Sequence, residues 1–431
     1  MSRATNRVMW GRFETAETRA RLGSPASHSV RHSARTAASV SASTSSSTDW
    51  TMVGNDCGMT AQSATAGQTG TAGQAGDSVR IGVMTGDGIG HEIVPATRRV
   101  VTSAAKASGV AIEWVPLELG LDAIERRGTP IPEETVEALA GLEGWVLGPH
   151  DSAAYPDPFR GTLTPGGVVR KRFDLFANIR PAAALPGVAA MVPGMDLVIV
   201  RENTEGLYAD RNMAVGSGEF MPTPDIALAV GVFTRAACER IAHSAFALAR
   251  RRRRRVTIVH KANVLSLTTG LFRDVCREVG GQYPDVEVDD FHVDAMAAHL
   301  VRRGADFDVV VTENMFGDIL SDLSAELSGS LGTAPSLNTS EHQAMAQAAH
   351  GAAPDIAGRN RANPTALMLS AAMLLDWLSD RHDDRRLSTA ARRVRQAVVA
   401  TVESGVATAD LGGLASTSEF TEVVEARTVR W

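Results

Sequence analysis

Lysine, tyrosine and cysteine each occur only three times in this chain of 431 residues. The cysteines, Cys57, Cys238 and Cys276, are too few and too scattered for a disulfide framework or a thiolate zinc site, so a reducing compartment fits best. No apolar run approaches the roughly 18 residues that a membrane-spanning helix needs, and no membrane partner is expected. An excess of positive charge is missing too. The formal net charge of -6 argues against nucleic acid as the main partner. What remains, 44% hydrophobic and 21% charged residues, suits an enzyme-sized globular chain with two or three domains and large cores.

The shortage of lysine has a chemical consequence. Lys106, Lys171 and Lys261 carry the only side-chain amines; every other cation is an arginine. A guanidinium keeps its proton in proteins and cannot act as a base. An amine gives its proton up more readily when cations surround it, so each lysine is a candidate proton-transfer group.

Residues 1–78 are unlike the rest. Stretches such as "SARTAASVSASTSSSTDW" are low-complexity Ser, Thr, Ala and Gly without an apolar period, and the expectation is a disordered extension. Its arginine-bearing, acid-poor start ("ATNRVMWGRF", "HSVRHSARTA") fits a mitochondrial presequence, a disordered tail of a cytoplasmic protein, or a start codon assigned too early. The expected location is cytoplasmic, with the mitochondrial matrix as the alternative. No internal repeat is visible.

From Ser78 the chain alternates. "VRIGVMTG" reads as a buried strand, "HEIVPATRRVVTSAAKAS" as the helix after it, then "AIEWVPLEL", the helix "PEETVEALAG" and the strand "GWVLGP". Later come "DLVIVREN", the helix "TRAACERIAHSAFALAR", the strand "VTIVH" and "FDVVVTEN". Such alternation predicts an open α/β sheet with ligands at the carboxyl ends of its strands.

Three local patterns invite a functional reading. In "NMFGDILSDL", Asp318 and Asp322 share one side of a helix and repel each other unless a positive charge covers them. A hard divalent cation would do this, and an ordinary solvated face is the plain alternative. "TGDGIGHE" follows a strand and opens a helix, but its glycines, Gly86, Gly88 and Gly90, are spaced G-x-G-x-G, and a standard Rossmann dinucleotide site is not expected. The six arginines Arg250 to Arg255 sit between a helix and a strand, where a solvated turn beside the helix's negative end is expected.

The segments "GDGIG", "RKRFDLFANIRP", "VRENTEGLY", "HKANVL", "VDAMAAHLV", "NMFGDILSDL" and "HGAAPDIAGRNRANPTA" occur in the order found in the isocitrate/isopropylmalate dehydrogenase family. From about Arg80 to the C-terminus the chain resembles these NAD-dependent β-decarboxylating enzymes. The resemblance implies two α/β domains of the isopropylmalate dehydrogenase type. Residues 79–175 with 329–431 would form the cofactor side, and residues 176–328 would carry metal and substrate groups and the dimer interface.

It further implies a homodimer with shared active sites, in which Asp318 and Asp322 bind Mg²⁺ or Mn²⁺ together with an Asp294 from the neighbouring subunit. Arg170, Arg180 and Arg201 match the carboxylate-binding arginines, whose planar forks suit a 2-hydroxy di- or tricarboxylic acid. Lys261 and Tyr208 match the acid–base pair. His350, Gly351, Asp355, Ile356 and Asn363 match the adenosine loop, and an acid at Asp355 favours NAD over NADP by accepting from the free ribose 2′-hydroxyl. The expected reaction is oxidative decarboxylation of a 3-substituted malate: isocitrate-like, malate- or tartrate-like, or 3-isopropylmalate. A non-catalytic regulatory subunit of the same fold and a metal-dependent phosphohydrolase are the alternatives. Four departures from the family pattern stand out: His91, Gln347 with Ala348 where Glu-Pro is usual, and Gly166 and Gly167 in the specificity segment.

Overall fold

The computed structural model describes residues 78–430, so the expected disordered extension, apart from Ser78, lies outside the described residues. The first apolar runs form β1 (Val79–Met84), β2 (Ile112–Leu117) and β3 (Gly144–Leu147). Next come β4 (Ala177–Ala183), β5 (Asp196–Glu202), β6 (Glu219–Thr223) and β7 (Ile226–Ala229). β8 (Arg255–His260), β9 (Glu287–His292), β10 (Val309–Thr312), β11 (Leu337–Thr339) and β12 (Ala344–Gln347) complete the set.

Ten of these strands share one sheet in the order β2-β1-β3-β12-β11-β4-β5-β10-β8-β9. The flanks run parallel, β2, β1, β3 and β12 on one side and β5, β10, β8 and β9 on the other. In the middle β11 is antiparallel to β12 and to β4, and β4 is antiparallel to β5. Two α/β domains thus share a mixed sheet. Strands covered on both faces read as continuous apolar runs, which is why β1, β3, β8 and β10 stand out in the sequence.

Helices Gly90–Ala107, Thr365–His382, Arg385–Glu403 and Thr417–Thr428 enclose a core around Ile93, Val100, Leu375 and Val394. In the other half, Phe246 and Phe272 from helices Arg235–Arg250 and Thr268–Gly280 pack on one face of the sheet. Leu300 and Leu320, from helices Val293–Arg303 and Asn314–Ser328, pack in a separate core with Ile199. Among the described residues no helix is long and apolar enough to cross a membrane.

The glycine loop after β1 is a joint between chain segments. Gly86 and Gly88 have φ of +69° and +53°, and a Cβ on either would lie 2.1 Å from the Pro149 carbonyl oxygen or 2.2 Å from that of Ala352. Between them Asp87, buried, accepts from the N–H groups of Leu121 (2.6 Å) and Asp151 (2.8 Å) and from the Tyr155 hydroxyl (2.9 Å). The backbone fits tightly against protein on both sides, in keeping with the departure from the Rossmann spacing.

The arginine run is the turn expected between the helix Arg235–Arg250 and β8, exposed at Arg250, Arg251, Arg253 and Arg254, and most of its cations have aspartate partners as well. Arg252 Nε donates to the buried Asp308 at 2.7 Å and Arg250 forks onto Asp285 at 2.6 and 3.0 Å. Arg251 meets Asp380 at 2.6 Å and Arg255 meets Asp289 at 3.2 Å. Arg253 donates to Asp196 at 3.2 Å, and its N–H to Asp308 at 2.8 Å. Aspartates from distant segments, invisible in a local reading, fold over the cations.

Replacing Asp87 by Ala leaves two backbone N–H groups and a buried hydroxyl without their acceptor. D87A is expected to lose roughly 2–4 kcal/mol of stability, and D87N less, because an amide oxygen still accepts. Urea unfolding midpoints of the two variants check this, and equal midpoints for D87A and the unaltered protein would remove the loop's anchoring role.

Candidate active site

The helix Asn314–Ser328 begins directly after β10, so its first turns stand at the carboxyl edge of the sheet. Glu313 caps it, accepting from the N–H groups of Phe316 (2.7 Å) and Met315 (3.1 Å). Leu320, Ser321 and Ser324 turn into the protein, which leaves Asp318 and Asp322 partly exposed on an adjoining stripe.

Positive charge does cover the pair, and within one chain it comes from two arginines. Arg201, near the end of β5, is only 1% exposed. Its Nε and Nη2 donate to Asn314 Oδ1 at 2.9 and 2.7 Å, and its Nη1 donates to Asp318. Gly317 makes this possible: a Cβ there would stand 2.6 Å from Arg201 Cγ, so the arginine's stem lies where any other residue would put its side chain. Arg180, on β4, donates to Ser321 Oγ (2.6 Å) and lies 3.2 Å from Asp318 and 3.4 Å from Asp322.

These neighbours set the protonation of the cluster. Burial works against ionisation of Asp318, but Arg201 and Arg180 outweigh it and hold the carboxyl below its usual range. Asp322 is pushed the other way, by burial and then by repulsion from Asp318, with Arg180 opposing. Burial, followed by the like charge of Arg201, brings Arg180 down to about 10, still a cation at neutral pH. Tyr208 donates its hydroxyl to Asp318 and lies under Arg201, whose guanidinium carbon is 5.1 Å from the ring centroid. Burial raises the Tyr208 hydroxyl, Asp318 raises it further and Arg201 opposes, so the group stays protonated and suited to donating a proton.

Lys261 and Asp294 form a second group. Lys261 follows β8, Asp294 opens the helix Val293–Arg303, and Lys261 Nζ meets Asp294 Oδ1 at 2.5 Å. Their partners within the chain are thus each other, while Asp318 is engaged by Arg201, Arg180 and Tyr208. The preceding residue, His260, fixes the approach to Lys261. Its Nδ1 accepts from the Ala262 N–H (3.1 Å), so Nε2 carries the proton and donates to Asp290 (2.8 Å), which Arg277 also binds (2.6 Å).

The donor set suits a hard divalent cation in part. Asp318 and Asp322 offer exposed carboxylate oxygens one helical turn apart, the kind of ligand that Mg²⁺ or Mn²⁺ combines with water and substrate. Among the described residues no cluster of three or more His, Cys, Asp or Glu stands ready to hold a metal.

A separate cavity of about 510 Å³ is lined by His350, Gly351, Ile356 and Asn363, four of the five residues matched to the adenosine loop. Asp355, exposed, immediately precedes Ile356. His350 Nδ1 faces the Gly351 carbonyl at 3.0 Å and must carry the proton, which leaves Nε2 a lone-pair acceptor, enclosed and with no hydrogen bond. Burial lowers the pKa of this imidazole and keeps it neutral. Arg170, on the helix Pro165–Arg172, is not in the arginine–aspartate cluster; its Nη2 donates to Gln347 Oε1 at 2.8 Å, though its charge still helps lower Asp318.

Asn314, Ser321 and Asp410 were missed in the sequence, whereas Gln347 was marked there only as a departure from the family pattern. Asp410 also lines the cavity and accepts from Ser330 and Asn363, both at 2.9 Å. Asn314 alone carried a signal, since it stands just past a strand at the start of the aspartate helix.

An open mixed α/β sheet with arginines, carboxylates and a tyrosine at one strand edge and a nucleoside-sized cavity beside it is the architecture of a dehydrogenase for acidic substrates. The family description isocitrate/isopropylmalate dehydrogenase matches residues 80–424. The isocitrate/homoisocitrate dehydrogenase of Thermus thermophilus is 47% identical over 347 residues, 80% of this chain and 97% of that one. The 3-isopropylmalate/3-methylmalate dehydrogenase of Methanocaldococcus jannaschii is 41% identical over 355 residues, 81% of this chain and 98% of that one. The crystal structure of isocitrate dehydrogenase from Methylococcus capsulatus superimposes with a TM-score of 0.73 at 38% identity, covering 81% of this chain and 99% of that chain. The chain therefore belongs to the isocitrate/isopropylmalate dehydrogenase family and is an NAD-dependent β-decarboxylating dehydrogenase in class.

Adding one methyl group at Gly317 would push Arg201 off the helix. G317A is expected to lose about 1–3 kcal/mol of stability, because the clash meets the stem of a buried arginine, and in its folded form to raise KM for the acid substrate by about 10-fold or more, since small displacements of a positioning group are costly. Steady-state kinetics check this; an unchanged KM would mean that Arg201 does not need the glycine.

Proposed function

We propose that the chain oxidatively decarboxylates an isocitrate-like or malate/tartrate-like acid, using NAD and Mg²⁺ or Mn²⁺, as a homodimer with shared active sites. The observation that carries the reading is the convergence of Arg180, Arg201, Asp318, Asp322 and Tyr208 at one strand edge.

The chemistry follows from what each group does. Substrate carboxylates exchange for Asp318 and Asp322 at the forks of Arg201 and Arg180, with Arg170 as the third holder. The displaced aspartates, with Asp294 from the second subunit, are then free to hold the cation. A divalent cation held there would supply Lewis acidity toward the 2-hydroxyl and toward the charge left at C2–C3 by loss of CO₂, and a bound NAD would supply the hydride acceptor. Lys261, reaching across from the second subunit, would take the hydroxyl proton, and Tyr208 would return a proton to C3. His350, Gly351, Ile356 and Asn363 hold the adenosine, and Asp355 accepts from its ribose and repels a 2′-phosphate.

Dimerisation is supported by apolar side chains exposed around the two half-sites. Val264 and Leu267 lie beyond Lys261, Ile319 beside Asp318, and the β6–β7 hairpin exposes Phe220, Met221, Ile226 and Leu228. Large apolar side chains left in water call for a partner, and a second copy would cover them isologously.

With NAD and Mn²⁺, a panel of malate, tartrate, isocitrate and 3-isopropylmalate is expected to yield NADH from at least one acid. NADH from none, followed by absorbance, would overturn the reading. D355K is expected to move the NADP:NAD ratio of kcat/KM upward by about 10-fold or more, because a repulsive charge becomes an attractive one. An unchanged ratio would take the ribose contact away from Asp355.

A further inference from the structure

The end of β12 and the turn after β3 hold polar groups that the reading above leaves unused. Gln347 ends β12 in register with Leu147 at the end of β3, and His150 follows three residues later. Gly166 and Arg170 stand one turn apart on the helix Pro165–Arg172 and face the same way. A Cβ on Gly166 would come within 2.9 Å of His150 Cε1 and 3.8 Å of Gln347 Nε2. The glycine that makes the specificity segment unreadable from sequence is therefore what admits the imidazole.

The orientation of each group can be worked out. Arg170 has only donors, so the atom of Gln347 that meets its Nη2 at 2.8 Å is the amide oxygen. The Gln347 amide nitrogen then points elsewhere, with hydrogens to give. His150 Nδ1 is buried and makes no hydrogen bond among the described residues. Burial, and next the charge of Arg170, lower this imidazole to about 4 against the opposing pull of Asp87 and Asp151. At neutral pH it offers one N–H and one lone pair. The Gln347 N–H donates to the Ser336 carbonyl at 3.1 Å, Ser336 Oγ donates to Asn178 Oδ1 at 3.3 Å, and that oxygen also accepts from Arg180 Nε at 3.3 Å, so this corner adjoins the arginine–aspartate cluster.

We propose that His150 and Gln347 read the substituent at C3 of the substrate, and that they select one bearing an oxygen, hydroxyl or carboxylate, over a branched alkyl group. The proposal rests on the function proposed above and names the substrate class within it. An alkyl group against these atoms leaves a buried imidazole nitrogen and an amide without partners, whereas an oxygen accepts from Gln347 and pairs with His150. Sites built to hydrogen-bond a group reject analogues that lack it far more strongly than apolar pockets reject an extra methylene.

The test is steady-state kinetics of the full chain with NAD and Mn²⁺ on malate, tartrate, isocitrate and 3-isopropylmalate. The unaltered protein is expected to favour tartrate or isocitrate over 3-isopropylmalate by at least about 100-fold in kcat/KM. His150→Leu and Gln347→Leu are each expected to shrink that ratio, and the ratio of the favoured acid to malate, by about 10-fold or more. A merely structural defect would lower all substrates together and leave both ratios in place. Gln347→Glu separates the two oxygen classes, because its charge depresses isocitrate more than tartrate if the pocket takes the substituent. Preference for 3-isopropylmalate, or ratios unchanged in both leucine variants, would overturn this proposal while leaving the proposed reaction standing. Turnover of no acid would overturn both.

Discussion

A buried arginine that must meet one carboxylate and one carboxamide at the rim of a sheet governs the architecture of this protein. Arg201 is enclosed almost completely, and an enclosed cation is tolerated only when its donors are satisfied. Asn314 and Asp318 satisfy it, and both belong to the helix that starts at the end of β10, beside β5. The parallel pairing of these strands places the arginine and the helix together, and Gly317 removes the side chain that would keep them apart. Arg180 arrives from β4, which runs the other way, so the antiparallel middle of the sheet brings the second cation over the same two aspartates.

The same logic explains the division of labour between the ends of the sheet. The arginine–aspartate cluster gathers where β5 and β10 end and β4 begins, while the cavity with His350 and Asn363 belongs to the segments after β12. Gln347 closes β12, and through Arg170 it is tied to the helix Pro165–Arg172.

The sequence revealed β1, β5, β8 and β10 because burial on two faces leaves a run of apolar residues in each. It did not reveal β11, three residues long, nor β9, whose run EVDDFH carries three acids, nor the exposed hairpin β6–β7. Period and composition have no purchase on elements so short or polar. Arg180, Arg201, Asp318, Asp322 and Tyr208 could be named in advance through ordered motifs, and the fold gathers them. Ser321 escaped, and so did the tie between Gln347 and Arg170, since the partners are 141 and 177 residues apart. The aspartates that pair with the arginine run were hidden for the same reason, as Asp308 and Asp380 reach it only in the folded chain.

The scarcity of amines makes this molecule unusually transparent to acylating reagents. Of its three lysines, Lys106 and Lys171 are exposed on helices, whereas the Lys261 side chain is 24% exposed and held by Asp294. An anhydride or succinimidyl ester would therefore report on the occupancy of the proposed base against two internal standards of surface reactivity. The chain's near-exclusive use of guanidinium elsewhere leaves the rest of its cations silent.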